Sequence, residues 1–213
     1  MTTASTAPTA STRSIPPSTP TPSTTPADAP RIAPLEPPFS AELAAVLARW
    51  MPPDVSVPPL ALFRTIAHHP ILRDTMRPLG ATLLGKGLLP MRVRELLILR
   101  TCARAGCRYE WGVHVAGFAG AAGLDRATVA ATWWAPPGAL DATLAAADAE
   151  VVRAADELHD TSTVGDATWA ALAARFEPAA MLELVTVAGF YHLIAYIANA
   201  ARVPLEPWGT PIR

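Results

Sequence analysis

Helical periodicity is the feature that most constrains the fold of this chain. From residue 31 onward, Ala-, Leu-, Glu- and Arg-rich runs alternate with capping and stop residues, and no stretch sustains the period-2 alternation of a strand. The sequence therefore predicts one all-α domain over residues 31–213. Ser40, Asp125 and Asp166 are expected N-caps, and Pro78 is expected to kink a helix. The predicted helices are 40–50, 59–68, 71–85, 91–105, 107–122, 125–134, 141–159, 166–176 and 178–202.

The first 30 residues have a different composition. Apart from Met1, Arg13, Ile15 and Asp28, they are all Ala, Ser, Thr or Pro. Such a segment has too little apolar area to offset the entropy of ordering it, so we predict a disordered tail over residues 1–30. It lacks the continuous apolar region of a signal peptide, and one arginine is a poor match to a transit peptide. We therefore expect a cytoplasmic protein, and an interaction or modification role for the tail stays open.

Charge and cysteine content exclude several functional classes. There are 17 Lys and Arg against 18 Asp and Glu, and this balance argues against general binding of nucleic acid, which needs a basic excess. Hydrophobic residues make up 51% of the chain and charged residues 16%, which is enough for a sizeable core. Cys102 and Cys107 are too few for a disulfide scaffold and form no four-ligand zinc pattern.

The last predicted helix contains an uncharged run that is nearly long enough to span a membrane. Residues 184–201 carry no formal charge, and their number is close to what a bilayer requires. Thr186, Gly189, His192 and Asn199 interrupt the apolar run, and no basic cluster flanks it. We therefore predict a buried core or subunit-interface helix and no membrane association.

Three chemically capable side chains share one face of the helix predicted over residues 107–122. Cys107, Glu110 and His114 are spaced i, i+3 and i+7, and Glu110 and His114 are close enough to hydrogen-bond. The rest of this helix is small and apolar, so we expect another helix to approach and enclose the three groups. Burial raises the pKa of a carboxyl group and lowers that of an imidazole, and pairing of the two groups has the reverse effect on each. Together the two effects can hold such a pair near neutrality for acid–base catalysis. From spacing alone, a buried structural pair is the alternative.

Four further residues are candidates with competing structural explanations. Glu95 lies among apolar residues, and its carboxylate is either on a polar stripe beside neighbouring arginines or drawn inside for a purpose. Arg108 can hold a substrate carboxylate or remain solvated. Trp111 can line a pocket or pack, and His192 can be a substrate-binding or a core histidine. Nothing in the spacing singles out a metal site, so we predict no metal.

The run from residue 94 to residue 124 resembles the carboxymuconolactone decarboxylase family, which shares its fold with alkylhydroperoxidase D. The matching features are Arg94-Glu95 before an apolar helix, the break at Gly106, Tyr109-Glu110-Trp111 with His114, then Ala116, Gly120 and Gly123-Leu124. The resemblance is looser upstream to about residue 68 and downstream to about residue 199. It implies a single helical domain of the alkylhydroperoxidase D-like type, assembly into dimers, trimers or hexamers, and functional roles for Glu95, Glu110 and His114.

The resemblance covers two enzyme activities that differ at one position. The peroxidase branch uses Glu, then Cys-x-x-Cys, then His, and its thiol pair cycles through a disulfide. Glu95, Cys107 and His114 match this register, but Glu110 occupies the second cysteine position. The decarboxylase branch, with Glu four residues before His, is more similar. It implies a reaction without cofactor, because the lactone carbonyl accepts the electrons left by carbon dioxide. Glu110 and His114 would then donate the proton, with Glu95 orienting them.

Three functions stand as hypotheses. The leading one is cofactor-independent acid–base catalysis on a small carboxylated lactone or carbonyl acid. The second is a thiol-dependent hydroperoxidase that uses Cys107, whose pKa a helix N-terminus can lower. A partner thiol at Cys102 would require its Cα within about 7 Å of that of Cys107. The third is a non-catalytic oligomeric protein that binds a ligand.

Overall fold

Nine α-helices make up the regular structure of the residues that can be described. The computed structural model describes residues 29–51, 57–139 and 144–212. These ranges contain no β-strand, which confirms the all-α prediction. In chain order the helices are α1 (Ala41–Trp50), α2 (Ala61–Ile66), α3 (Pro70–Gly85), α4 (Met91–Arg104), α5 (Arg108–Phe118), α6 (Arg126–Trp134), α7 (Ala146–Thr161), α8 (Asp166–Ala173) and α9 (Pro178–Ala201).

Side-chain capping sets the starts of three of the described helices, α1, α3 and α6. The Ser40 hydroxyl accepts the Leu43 N–H at 3.2 Å, and the Asp125 carboxylate accepts the Thr128 N–H at 2.7 Å. Both side chains are N-caps, as predicted. Asp166 is not a cap, which corrects the third prediction. It is the first residue of α8, and Gly165 occupies the cap position.

Several helices differ from their predicted bounds: α2 covers 61–66 and not 59–68, and α8 ends at Ala173 and not at residue 176. α5 ends at Phe118 and not at residue 122, and the chain then turns through Gly123, whose φ is +66°. Cys107 precedes this helix as its N-cap. The predicted start of α7 at residue 141 and residues 1–28 of the predicted tail lie outside the described residues.

α4 is the central helix of the fold. It packs against α5, α6, α7 and α9, and every residue from Val93 to Cys102 is buried. Glu95 and Arg100 lie within this run and are therefore enclosed in the core with the apolar side chains. A charged group in such a position must find a partner or lose its charge.

α9 is long and apolar enough to cross a membrane by length and composition. In its most apolar window, 44% of the residues are buried inside the fold. These include Leu184, Val187, Tyr191, Ala195 and Ala198, which recur at helical spacing and face α4 and α5. The apolar composition of α9 therefore serves the core. An exposed apolar face remains, and the homo-oligomer expected from the sequence, which would cover it, stays a prediction.

The C-terminal residues 203–212, here called the C-terminal strap, return across α2 and α5. Glu206 Oε1 accepts the Ala61 N–H and the Tyr109 hydroxyl, each at 2.6 Å. The Thr210 N–H donates to the Gly112 carbonyl at 3.0 Å. A Cβ atom at Gly112 would lie 2.7 Å from the Thr210 carbonyl oxygen, so only glycine permits this approach. The strap thereby holds its Trp208 beside α5.

Candidate active site

Three predicted site residues, Glu95, His114 and Glu110, lie in one row inside the fold. Glu95 Oε2 lies 2.7 Å from His114 Nδ1, and Glu110 Oε1 lies 3.5 Å from His114 Nε2. The other oxygen of Glu95, Oε1, accepts a hydrogen bond from Arg94 Nε at 3.1 Å. Glu95 is fully buried, His114 is 2% exposed and Glu110 is 7% exposed. Of the two positions that the sequence allowed for Glu95, the structure shows the interior one.

The charge of His114 is set by its two carboxylate neighbours. Burial alone would lower the pKa of this imidazole, but Glu110 and Glu95 outweigh it and raise the pKa to about 9. His114 is therefore an imidazolium at neutral pH, with Nδ1 hydrogen-bonded to Glu95 at 2.7 Å and Nε2 3.5 Å from Glu110 Oε1. The row thus holds a proton between two nearly buried carboxylates.

Glu110 has an oxygen without a partner. Its Oε2 is buried and makes no hydrogen bond to any described residue. Leaving a buried carboxylate oxygen unpaired costs free energy, because burial removes its hydrogen bonds to water and no donor from the protein replaces them. Such an atom is where a substrate would complete the network.

Glu110 and His114 form part of the wall of a cavity of about 500 Å³. Most of its wall is apolar, and it comes from α1, α2, α3, α5, α9 and the C-terminal strap. The volume is in the range of cavities that hold small organic molecules. The lining residues are Arg49, Trp50, Met51, Val57, Leu60, Leu62, Phe63, Met76, Arg77, Gly80, Ala81, Leu84, Glu110, Val113, His114, Ala116, Gly117, Phe118, Phe190, Tyr191, Ile194 and Trp208.

The second half of α5 is open to this cavity. Ala116 and Gly117 are exposed, and a Cβ added at Gly117 would meet no atom within 4 Å. The sequence predicted that the small residues of α5 would admit another helix. That holds for the half that ends at His114, which is buried. Beyond His114 the small side chains leave space for a ligand, so the predicted enclosure is wrong for this half.

Tyr191 is a site residue that the sequence reasoning missed. Its ring meets that of His114 edge-on, with 5.0 Å between centroids. Burial, with the nearby charges of Glu110 and Glu95, raises the pKa of Tyr191 well above its usual value. The phenol therefore stays protonated and able to donate a hydrogen bond at the cavity. The helical spacing of the buried positions of α9 selects residue 191, and this signal was available in the sequence.

A comparison with known protein families matches residues 70–150 to the carboxymuconolactone decarboxylase family. This segment contains Glu95, Glu110 and His114. The match covers residues 70–150 and leaves the rest of the chain outside it. The resemblance carried by residues 94–124 is thereby confirmed. No curated protein matches the sequence significantly.

The three predicted substrate-binding residues lie away from the cavity of this family domain. Arg108 is exposed at the first position of α5. Trp111 is buried and donates its Nε1–H to Thr132 at 3.0 Å, which is the packing alternative. His192 is partly buried and stacks on His159, with ring centroids 5.3 Å apart. It projects from α9 one residue past Tyr191, about 100° around the helix, so it does not join the row of Glu110 and His114.

The described ranges contain no group of three or more His, Cys, Asp or Glu side chains that could hold a metal ion. Glu110 and His114 would need a third ligand, and His192 stacks on His159 instead.

Both cysteines are free, fully buried and outside the cavity wall. Burial raises the pKa of Cys107 to about 12 and that of Cys102 well above its usual value. The expectation that the helix N-terminus lowers the pKa of Cys107 is therefore wrong, because loss of water outweighs the helix dipole. The N–H of Cys107 donates to the Cys102 carbonyl at 2.8 Å, so the two residues meet at the turn between α4 and α5.

Proposed function

We propose that this protein is an enzyme that moves protons on a small carboxylated lactone or carbonyl acid without a cofactor, by decarboxylation or a related proton transfer. Glu110 carries the proposal. One of its oxygens faces the imidazolium of His114 at 3.5 Å, and the other is buried without a partner. A carboxylate so placed in the wall of an apolar cavity can exchange a proton with a bound carbon acid.

The chemistry balances with the side chains present. In a decarboxylation, the bond to the carboxylate breaks and its electron pair moves through the conjugated double bond onto the lactone carbonyl. The resulting enolate takes one proton at carbon from the Glu110 carboxyl. His114 then transfers its own proton to Glu110. Water later restores that proton to His114. Tyr191 donates a hydrogen bond to the enolate oxygen, where an apolar wall strengthens the interaction.

Glu95 is a positioning residue in this scheme. It does not line the cavity, and its contact with His114 Nδ1 fixes the orientation of the ring. Arg94 balances its charge at 3.1 Å. This arrangement keeps Nε2 of His114 directed toward Glu110.

The thiol-dependent alternative has weaker support. A peroxidatic thiol must ionise and meet the peroxide, whereas burial keeps Cys107 protonated and away from the cavity. The non-catalytic alternative has weaker support too, because a cavity that only binds an apolar ligand gains nothing from an unpaired buried carboxylate.

The test is carbon dioxide release from carboxymuconolactone and a panel of carboxylated unsaturated lactones. Glu110→Gln removes the transferable proton and nearly preserves shape, so we expect kcat/KM to fall about 10²- to 10⁴-fold. Glu150→Gln is the matched control, since Glu150 pairs with Arg175 outside the cavity, and it should retain full turnover.

Two results would contradict the proposal. One is a Glu110→Gln enzyme as active as the wild type on any lactone that the wild type converts. The other is hydroperoxide consumption with a dithiol reductant that disappears in Cys107→Ser, which would assign the chemistry to the thiol.

A further inference from the structure

The cavity has two cationic side chains that the proposed chemistry does not use. Arg49, from the last turn of α1, and Arg77, from the middle of α3, both line it. They are more exposed than Glu110 and His114, so they mark its solvent side. The other described residues of the wall are uncharged. The cavity thus has an acid–base group at its buried wall and positive charge toward solvent.

The position of Arg77 is fixed by the end of α1. Its Nε and Nη2 donate to the carbonyl oxygen of Arg49 at 3.3 and 2.8 Å, a carbonyl that the helix leaves unpaired. The guanidinium is therefore held against the cavity by its own hydrogen bonds. A bound ligand would find it already oriented, which reduces the entropy cost of binding.

Neither guanidinium has a carboxylate partner within the described ranges. Asp74 is close enough for the charge of Arg49 to contribute to lowering the pKa of its carboxyl. However, both Asp74 oxygens are already bonded to Arg73, at 2.7 and 2.9 Å. Two positive charges on one side of an apolar cavity, both without a counter-ion among the described residues, favour an anionic ligand.

A third donor lies next to Arg49 in the chain. Trp50 lines the cavity and packs edge-on against Phe63 at 4.7 Å. Its Nε1–H is buried and makes no hydrogen bond to any residue of the described structure. A buried N–H without an acceptor is costly unless a ligand supplies one.

We propose that Arg49, Arg77 and Trp50 form an anion-binding subsite, and that the cavity takes an organic monocarboxylate with an extended apolar body. Glu110 repels a second carboxylate from the buried wall, so the anion is oriented toward the arginines. About ten carbons of apolar chain fit such a volume. The inference rests on the proposed function only in assigning the far, carbonyl-bearing end of the substrate to Glu110 and His114. The anchored carboxylate of such a monocarboxylate is a recognition group that is retained, so its reaction at the far end would be the related proton transfer of the proposed function and not the decarboxylation.

Calorimetric titration of the full chain with decanoate and with decanol tests the subsite. We expect decanoate to bind more tightly than decanol. Arg77→Gln and Arg49→Gln should each weaken decanoate about tenfold, the usual cost of one charge-assisted hydrogen bond, and leave decanol unchanged. Arg49→Gln keeps the backbone carbonyl that holds Arg77, so it tests charge without disturbing that contact. Arg126→Gln, on the exposed start of α6, is the matched control and should bind decanoate normally.

The apolar part of the cavity is tested by the affinity for carboxylates of increasing chain length. From hexanoate to decanoate, affinity should rise about three- to fourfold per methylene as each is buried. Gly117→Leu places a side chain into open space, so it should reduce decanoate affinity and leave the urea midpoint unchanged.

Equal affinity for decanoate and decanol, or no loss in the two arginine variants, would overturn the subsite. No binding of decanoate to the wild type would overturn it as well. Failure of the proposed function looks different: decanoate would bind as expected while Glu110→Gln left lactone turnover intact.

Discussion

α4 carries two buried charged groups whose surroundings differ in one respect. Arg100 donates to both oxygens of Asp156, at 2.6 and 2.9 Å, and to the carbonyls of Thr132 and Ala135 at 3.1 and 2.8 Å. Glu95, five residues earlier, begins a row through His114 that ends at an unpaired oxygen of Glu110. The first network is closed and the second is open.

The difference separates a structural network from the one to which we assign the proposed function. A closed network offsets the cost of burying its charges and makes the packing unique. An open network gives up part of that stability and leaves one atom available at the cavity. Both start from a single charged residue on the same helix, so burial alone does not distinguish the two roles.

Breaking the closed network should have the largest effect on stability. We expect Arg100→Met to lower the free energy of unfolding by about 3–5 kcal/mol, because it leaves Asp156 buried with only Arg104 near it. Urea denaturation measures this loss. Arg104→Met is the matched control, and since its ion pair with Asp160 is partly exposed, it should cost under about 1 kcal/mol. Equal losses in the two variants would contradict the comparison.

The open network should make stability depend on pH. The pKa of His114 is about 9 in the fold, against an ordinary value of 6.5, so the folded state binds the extra proton. Its stabilisation is complete below about pH 6.5 and is lost as the pH rises through 9, by up to about 3 kcal/mol. Urea unfolding at pH 6.5 and 9, with an NMR titration of the His114 ring, measures this. Glu110→Gln removes one carboxylate that raises the pKa and should show a smaller decline; an identical decline would contradict the assignment.

The two ends of the open row should differ in their contribution to stability. Glu95→Gln disturbs both the Arg94 and His114 contacts and should cost about 1.5–3 kcal/mol. Glu110→Gln keeps an oxygen facing His114 Nε2 and removes an unpaired charge, so its cost should stay under about 1 kcal/mol. Thermal and urea unfolding of both variants compare them. A larger loss in Glu110→Gln would mean that its carboxylate is structural.

The smallest effect concerns the thiols. Cys102 and Cys107 are enclosed, so a disulfide reagent should label them at least about a hundredfold more slowly in the native protein than in urea. Ala116→Cys, on the exposed cavity wall, supplies a matched accessible thiol and should react at once. Rapid labelling of the wild type would show that the cavity and the thiols communicate.

Spacing within one helix predicted the part of the site that lies within one helix. Glu110 and His114 are i,i+4 neighbours in α5, and their pairing followed from the sequence. Cys107 was placed on the same face because the helical period was extended one residue too far, across the N-cap. The contact between Glu95 and His114 depends on how α4 and α5 cross, which no single-helix pattern contains.

The fold was predictable where residues act locally, and less so where helices meet. Ser40 and Asp125 fixed helix starts through their own hydrogen bonds. In α9 the sequence analysis named His192, whereas Tyr191, one residue earlier and about 100° around the helix, lines the cavity. The cavity and its arginines depend on how α1 and α3 pack, which lies beyond any periodicity in the sequence.

The cavity is lined both by residues inside the segment that matches the family and by residues outside it. Its acid–base row lies inside residues 70–150, the segment shared with the family. Arg49 and Trp50 precede that segment, and Trp208 of the C-terminal strap follows it. Substitutions in the flanking helices and the strap can therefore change what enters the cavity and leave the reacting groups untouched. Proteins that share this segment can therefore differ in the ligand that they bind and still keep the same row of acid–base side chains.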